Sequence, residues 1–267
     1  MVESLKQAAA DLLAAGTVNV VIGYGEGTSR RVRPVFVRQA DGVSSLVLDE
    51  RCKANLAVYL AKPEIVKMGK AAIVARPPLV RSIIQLIAEH QLSAGTVVVL
   101  AVDEAGVRSL TDASSLESFV AGHPPELPPP TRRIMDSLSG MSVNERRSFW
   151  DDELSRCFKC YACRAACPFC YCDRCITDDN QPQWVCVAAH GIGIVEWHFN
   201  RGMHMAGRCV QCGACTTACP VGIPIGLLTE VATQATEREF GYQAGMKCDA
   251  PAALSSFKTE DKESFIQ

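Results

Sequence analysis

The sequence predicts an α/β domain followed by a small α+β domain organised around cysteines. Two observations carry that reading. As far as about residue 120, Val- and Ile-rich runs alternate with stretches of helical apolar spacing, the pattern of an α/β layer fold with a partly parallel sheet. The cysteines are also unevenly placed: of 14, only Cys52 precedes residue 157, and the other thirteen run from Cys157 to Cys248.

In the first part, 18–24, 35–38, 45–49, 71–75 and 96–102 read as strands. Segments 53–61 and 79–90 have apolar residues at helical spacing, the second through Leu79, Ile83, Ile84, Leu86 and Ile87. Gly23, Gly25 and Gly27 follow a strand but lack the G-x-G-x-x-G spacing and an ensuing helix, so they read as a plain turn and not as a nucleotide loop. The domain is expected over residues 1–120, as a platform.

A proline-rich linker is expected over 121–141, because the stretch from Gly122 to Pro130 holds five prolines in nine residues and favours an extended spacer. A polar helix should then start at Ser142, with Glu145 completing a capping box and Phe149 and Trp150 bracing the next domain or meeting a partner.

The segment 142–240 contains an internal repeat. Cys157-x2-Cys160-x2-Cys163-x3-Cys167-Pro168 recurs as Cys209-x2-Cys212-x2-Cys215-x3-Cys219-Pro220. A [4Fe–4S] cube needs four thiolates, and in this bacterial two-cluster pattern the fourth cysteine of each run ligates the other cluster. Cys157, Cys160, Cys163 and Cys219 are therefore expected to hold one cluster, and Cys209, Cys212, Cys215 and Cys167 the second. The predicted fold class is an α/β N-terminal domain plus a bacterial two-[4Fe–4S] ferredoxin-like α+β domain. Zinc would not need two full copies of a four-cysteine run ending in proline.

Cys170, Cys172, Cys175 and Cys186 form a candidate third metal site, zinc or iron–sulfur; the alternative is that these thiols pack near the clusters. Cys52 and Cys248 read as ordinary cysteines. His190, His198 and His204 flank or lie on a helix expected from Ile194 to Met205, and read as solvated or hydrogen-bonded side chains, the alternative being that they tune a cluster or bind metal. Residues 241–267 are expected to form an extended C-terminal arm, ordered where it docks on a surface.

Net charge is −2, with no basic excess to suggest nucleic acid or an anionic membrane. Glu3, Lys6 and Asp11 argue against a secretory signal, and no apolar run reaches membrane-spanning length. The expected compartment is cytoplasmic, where disulfides are rare, so the cysteines point to metal.

The run from Cys157 through Cys172 resembles the ferredoxin part of iron–sulfur subunits related to the beta subunits of coenzyme F420-linked hydrogenases and formate dehydrogenases, and to subunits of heterodisulfide-reductase-like complexes. The stretch from Gly69 to Leu86 is similar to that family's strand, turn and helix. The resemblance spans about 142–240 and, more faintly, 15–110. It implies an electron-transfer subunit of an anaerobic oxidoreductase complex, relaying single electrons between partner redox subunits and having no substrate site of its own. Pro78 stands where family members often carry a cysteine, and the first domain is short; both weigh against FAD and F420 binding. The alternatives are a flavin-containing oxidoreductase subunit whose first domain exchanges hydride with a soluble cofactor, and a scaffold whose clusters are structural.

Overall fold

The computed structural model describes residues 1–251 and 253. Its first part is a six-stranded mixed sheet of β1 (Val20–Glu26), β2 (Val32–Val37), β3 (Leu46–Val47), β4 (Ala71–Ala75), β5 (Val97–Asp103) and β6 (Gly106–Leu110). The order is β2-β1-β4-β5-β6, with β3 also paired to β1. β1, β4 and β5 are parallel, and almost all of their residues are buried, which is why they read as unbroken apolar runs. β2, β3 and β6 add antiparallel edges. Every expected strand is present, 71–75 with the bounds expected and the others shifted. β6 escaped the sequence reading because Arg108 and Ser109 in its centre are exposed.

Four helices accompany the sheet: α1 (Val2–Ala14), α2 (Pro63–Val66), α3 (Pro77–Ala88) and α4 (Ala113–Ala121). α3 opens with prolines, whose fixed φ suits the first helical turn, and buries Leu79, Val80, Ile83, Ile84, Leu86 and Ile87. The helix expected over 53–61 is instead one 3₁₀ turn, Leu56–Tyr59. Asn55 explains the change: its Oδ1 accepts the Ala57 N–H at 3.1 Å, while its Nδ2 donates to the buried Ser82 Oγ at 2.7 Å and ties the chain to α3. The glycine turn is corrected too. Gly23 lies inside β1, where a Cβ would come within 2.5 Å of the Leu46 side chain, so the glycine serves close packing.

The second part holds α5 (Pro129–Ser139), α6 (Val143–Ser155), α7 (Ala162–Ala165), α8 (Ile192–His204), α9 (Ala214–Ala218) and α10 (Gly226–Phe240). α5 overturns half of the expected linker, since the last prolines of the run sit at the start of a helix, where a missing N–H costs nothing. α6 has the expected capping box, Ser142 Oγ accepting the Glu145 N–H and Glu145 accepting that of Ser142. Trp150 packs against a core of Leu154, Cys163, Ile194, Trp197, Ile223 and Ile225, as a brace would.

The sheet's own core does not stop at a domain boundary. Phe169, Met205, Val210 and Ala244 are buried with it, and Cys167, Cys170, Cys209 and Cys212 pack against it. Glu89 at the end of α3 accepts two bonds from Arg208, at 2.6 and 2.9 Å, and one from the Tyr171 hydroxyl at 2.9 Å. The start of the C-terminal arm docks on α3 and α4. Arg81 donates to the Ala244 carbonyl, Gly245 N–H to Gln85, and Cys248 N–H to Glu117. The rest of the expected arm, 252 and 254–267, lies outside the described residues.

Candidate metal centre

The sequence repeat is also a backbone repeat. In the first loop Lys159 and Tyr161 are left-handed, with φ of 51° and 60°; in the second, Gln211 and Gly213 occupy the same positions with φ of 59° and 72°. Each loop runs directly into a short helix, α7 or α9. Successive N–H groups in such a conformation form a concave nest for an anion. They point at sulfur here: Lys159 N–H donates to Cys157 Sγ and Gln211 N–H to Cys209 Sγ, both at 3.4 Å. Ile223 N–H donates to Cys219 Sγ at 3.3 Å.

The thiols gather in two sets. Cys167, from the first loop, lines one cavity of about 160 Å³ with Cys209, Cys212 and Cys215 from the second. Cys157, Cys163 and Cys219 pack against the Trp197 core, together with Cys215. Burial pushes the Cys157 thiol up, and its neighbours Cys160 and Cys219 add to this. Burial likewise raises Cys163 to about 11 and Cys215 to about 12. Cys160 is exposed.

A search against family models matches residues 204–225 to the 4Fe-4S binding domain. The chain carries a 4Fe–4S binding region. Among curated proteins, it is 28% identical over 110 residues to the F420-dependent formate dehydrogenase subunit beta of Methanocaldococcus jannaschii, covering 41% of this chain and 27% of that one. It is 35% identical over 106 residues to the F420-dependent formate dehydrogenase 1 subunit beta of Methanococcus maripaludis, covering 39% and 26%. The matches therefore span about a quarter of each relative's length.

The residues of this 4Fe–4S region fit a cluster. Four thiols ring a cavity, backbone N–H groups face the sulfurs, and small Ala214 lets the backbone close in. Among the described residues no three His, Cys, Asp or Glu side chains converge as they would on a single metal ion.

Two further residues of α8 lie beside the cysteines, and of these only Arg201 had no functional reading in the sequence. His198 Nε2 lies 3.3 Å from Cys157 Sγ. Its imidazole is pulled down to about 4, by burial first and then by Arg201 and Lys159. It thus sits as a neutral hydrogen-bonding ring, in keeping with the expectation of a hydrogen-bonded histidine. Arg201, one turn on, donates from Nη2 to the Cys163 carbonyl at 3.2 Å and lines the 160 Å³ cavity. Only the 3.6-residue period of α8 linked these two in the sequence.

The four extra cysteines have different neighbours. Cys170 lies beside Cys167, which together with Arg201 pulls its thiol down. Cys175 Sγ is 2.9 Å from Thr177 Oγ1, Cys172 is exposed, and the Cys186 N–H donates to Glu196. Their segment is fastened by Asp178, which accepts from the Tyr161 hydroxyl at 2.9 Å and Trp197 Nε1 at 3.1 Å and pairs with Lys159 at 3.4 Å.

Proposed function

We propose that this chain is an iron–sulfur electron-transfer subunit holding two [4Fe–4S] clusters by crossed ligation. Cys157, Cys160, Cys163 and Cys219 would hold one cluster, and Cys209, Cys212, Cys215 and Cys167 the other. The observation that carries the reading is the cavity that Cys167 shares with three cysteines of the other motif. A bound [4Fe–4S] cluster supplies one-electron storage at a potential set by its surroundings. The chain's residues fix the thiols and aim N–H groups at them. Exposed Cys160 and Phe158 offer the first set to a partner, whereas the second abuts the sheet domain. The likeness to formate dehydrogenase beta subunits supports a place among the redox subunits of a multisubunit oxidoreductase, hydrogenase-, formate dehydrogenase- or heterodisulfide-reductase-like. The domain limits proposed are 1–120 for the platform and 142–240 for the cluster module, and the compartment proposed is cytoplasmic. No described helix is long and apolar enough to cross a membrane.

The test is iron and sulfide analysis of the anaerobically purified chain, expected at about eight of each. Cys219→Ser should damage the cluster of Cys157, Cys160 and Cys163, and Cys167→Ser the other, each read by EPR. A content near four, or loss of the same signal in both variants, would sink the assignment.

A further inference from the structure

We infer that Arg201 is a positioning residue shared by the two cluster sites, a buried cation that raises the reduction potential of both. The inference rests on the two-cluster reading above.

Arg201 is 6% exposed, and its Nε has no hydrogen-bond partner. Among the described residues no carboxylate forms a salt bridge with it. A guanidinium so placed is costly without a counter-charge. Its neighbours supply one. Cys167 and Cys215 line the same cavity as Arg201, and the Cys163 carbonyl accepts its Nη2 at 3.2 Å. Cys163 belongs to the first ligand set, and Cys167 and Cys215 to the second. The Nη2 bond to the Cys163 carbonyl fixes the head against the first loop while the side chain lines the cavity of the second. α8, lying between the two motifs in sequence, thus inserts one positive charge beside both sets of sulfurs.

Adding one electron to a thiolate-ligated cluster adds one negative charge. A fixed cation nearby stabilises the reduced form more than the oxidised form, so the potential rises. Removing the charge should lower both potentials, and lysine, which keeps it, should restore them.

The full chain, purified anaerobically as wild type, Arg201→Gln and Arg201→Lys, is analysed for iron and sulfide and titrated redox-potentiometrically with EPR detection. In Arg201→Gln, the ratio of reduced to oxidised cluster at a fixed potential should fall about tenfold at both signals, which is ~59 mV for a one-electron couple. Arg201→Lys should stay close to wild type. Loaded Arg201→Gln with unchanged potentials, or a shift at one signal only, would overturn the inference while leaving the two-cluster reading intact. A wild type with about four irons would overturn that reading and this inference with it. If Arg201→Gln fails to load, Arg201→Lys decides: loading with wild-type potentials supports the role of charge, and failure of both overturns it.

Discussion

Replacing Glu89 by glutamine tests whether the cluster module is locked to the sheet domain by one carboxylate. Glu89 ends α3 and receives two N–H bonds from Arg208, the Tyr171 hydroxyl and the Gln85 amide. Its side chain is 9% exposed and that of Arg208 is 25% exposed. Glutamine keeps the shape and one acceptor oxygen but loses the charge and turns the other oxygen into a donor amide facing Arg208, which retains the Phe169 and His204 carbonyls and the face of Tyr171. Breaking a fully buried pair from one side costs roughly 3–5 kcal/mol. Arg208 keeps partial access to water, which lowers the expected cost to about 2–3 kcal/mol. That corresponds to a ~30- to 150-fold rise in the open population of the junction. Hydrogen exchange should show it as faster exchange over residues 169–171 and 208–210, with β4 and β5 unchanged. A double-mutant cycle with Arg208→Gln should return most of the cost as coupling. A single-mutant cost below about 0.5 kcal/mol, the range of an ordinary surface substitution, would refute the idea that this carboxylate ties the two parts together.

Asp178→Asn should loosen the cysteine-rich segment 170–186 from the first loop, because Lys159 loses its counter-ion and the Tyr161 and Trp197 bonds lose charge assistance. A cost of about 1–3 kcal/mol is expected, seen as changed Trp fluorescence and faster bleaching of one cluster in air, with the other unaffected. Gly245→Ala should detach the arm: φ is +75° and a Cβ would stand 2.5 Å from the Arg81 carbonyl oxygen. Limited proteolysis should then cut within 241–251, and an arm protected as in the wild type would count against docking through this turn.

The strands of the sheet were legible because β4 is buried throughout and β5 in all but its last residue, and their sequences carry few polar residues. β6 and the turn at Leu56–Tyr59 were not: β6 is an edge strand with Arg108 and Ser109 exposed, and a distant partner, Ser82, decides the turn. The proline run misled for a local reason, since proline is hostile to a helix interior but welcome at its first turn. At the centre, the spacing of the eight cysteines led to the expectation that Cys167 goes with the second motif, and Cys167 lines a cavity with Cys209, Cys212 and Cys215. The side chains beside the two loops were only partly legible. The sequence offers His198 as a candidate neighbour of a cluster, but Arg201 comes from a helix whose sequence shows only an amphipathic pattern, and nothing local announces a buried guanidinium bonded to the Cys163 carbonyl.

The two loops are near copies in sequence and backbone, so differences between the sites must come from what surrounds them. Equivalent residues make the contrast: Phe158 follows Cys157 and is 57% exposed, while Val210 follows Cys209 and is 0% exposed. The first loop meets solvent through Cys160, whereas the second is pressed against the sheet core and Arg81. Water near a cluster stabilises the more charged, reduced form and raises its potential, while burial in apolar surroundings lowers it. Arg81 opposes that lowering at the second site: burial draws its own ionisation down to about 10, and Cys209 and Cys212 hold part of it back. A duplicated ligand loop thus yields two unequal sites in the proposed relay, an outer one open to a partner and an inner one facing the sheet domain. If that reasoning holds, Arg81→Gln should lower the potential of the inner cluster alone, in contrast to a change at Arg201. A matching shift in the outer cluster would show that the surroundings of the two loops are not electrostatically separate.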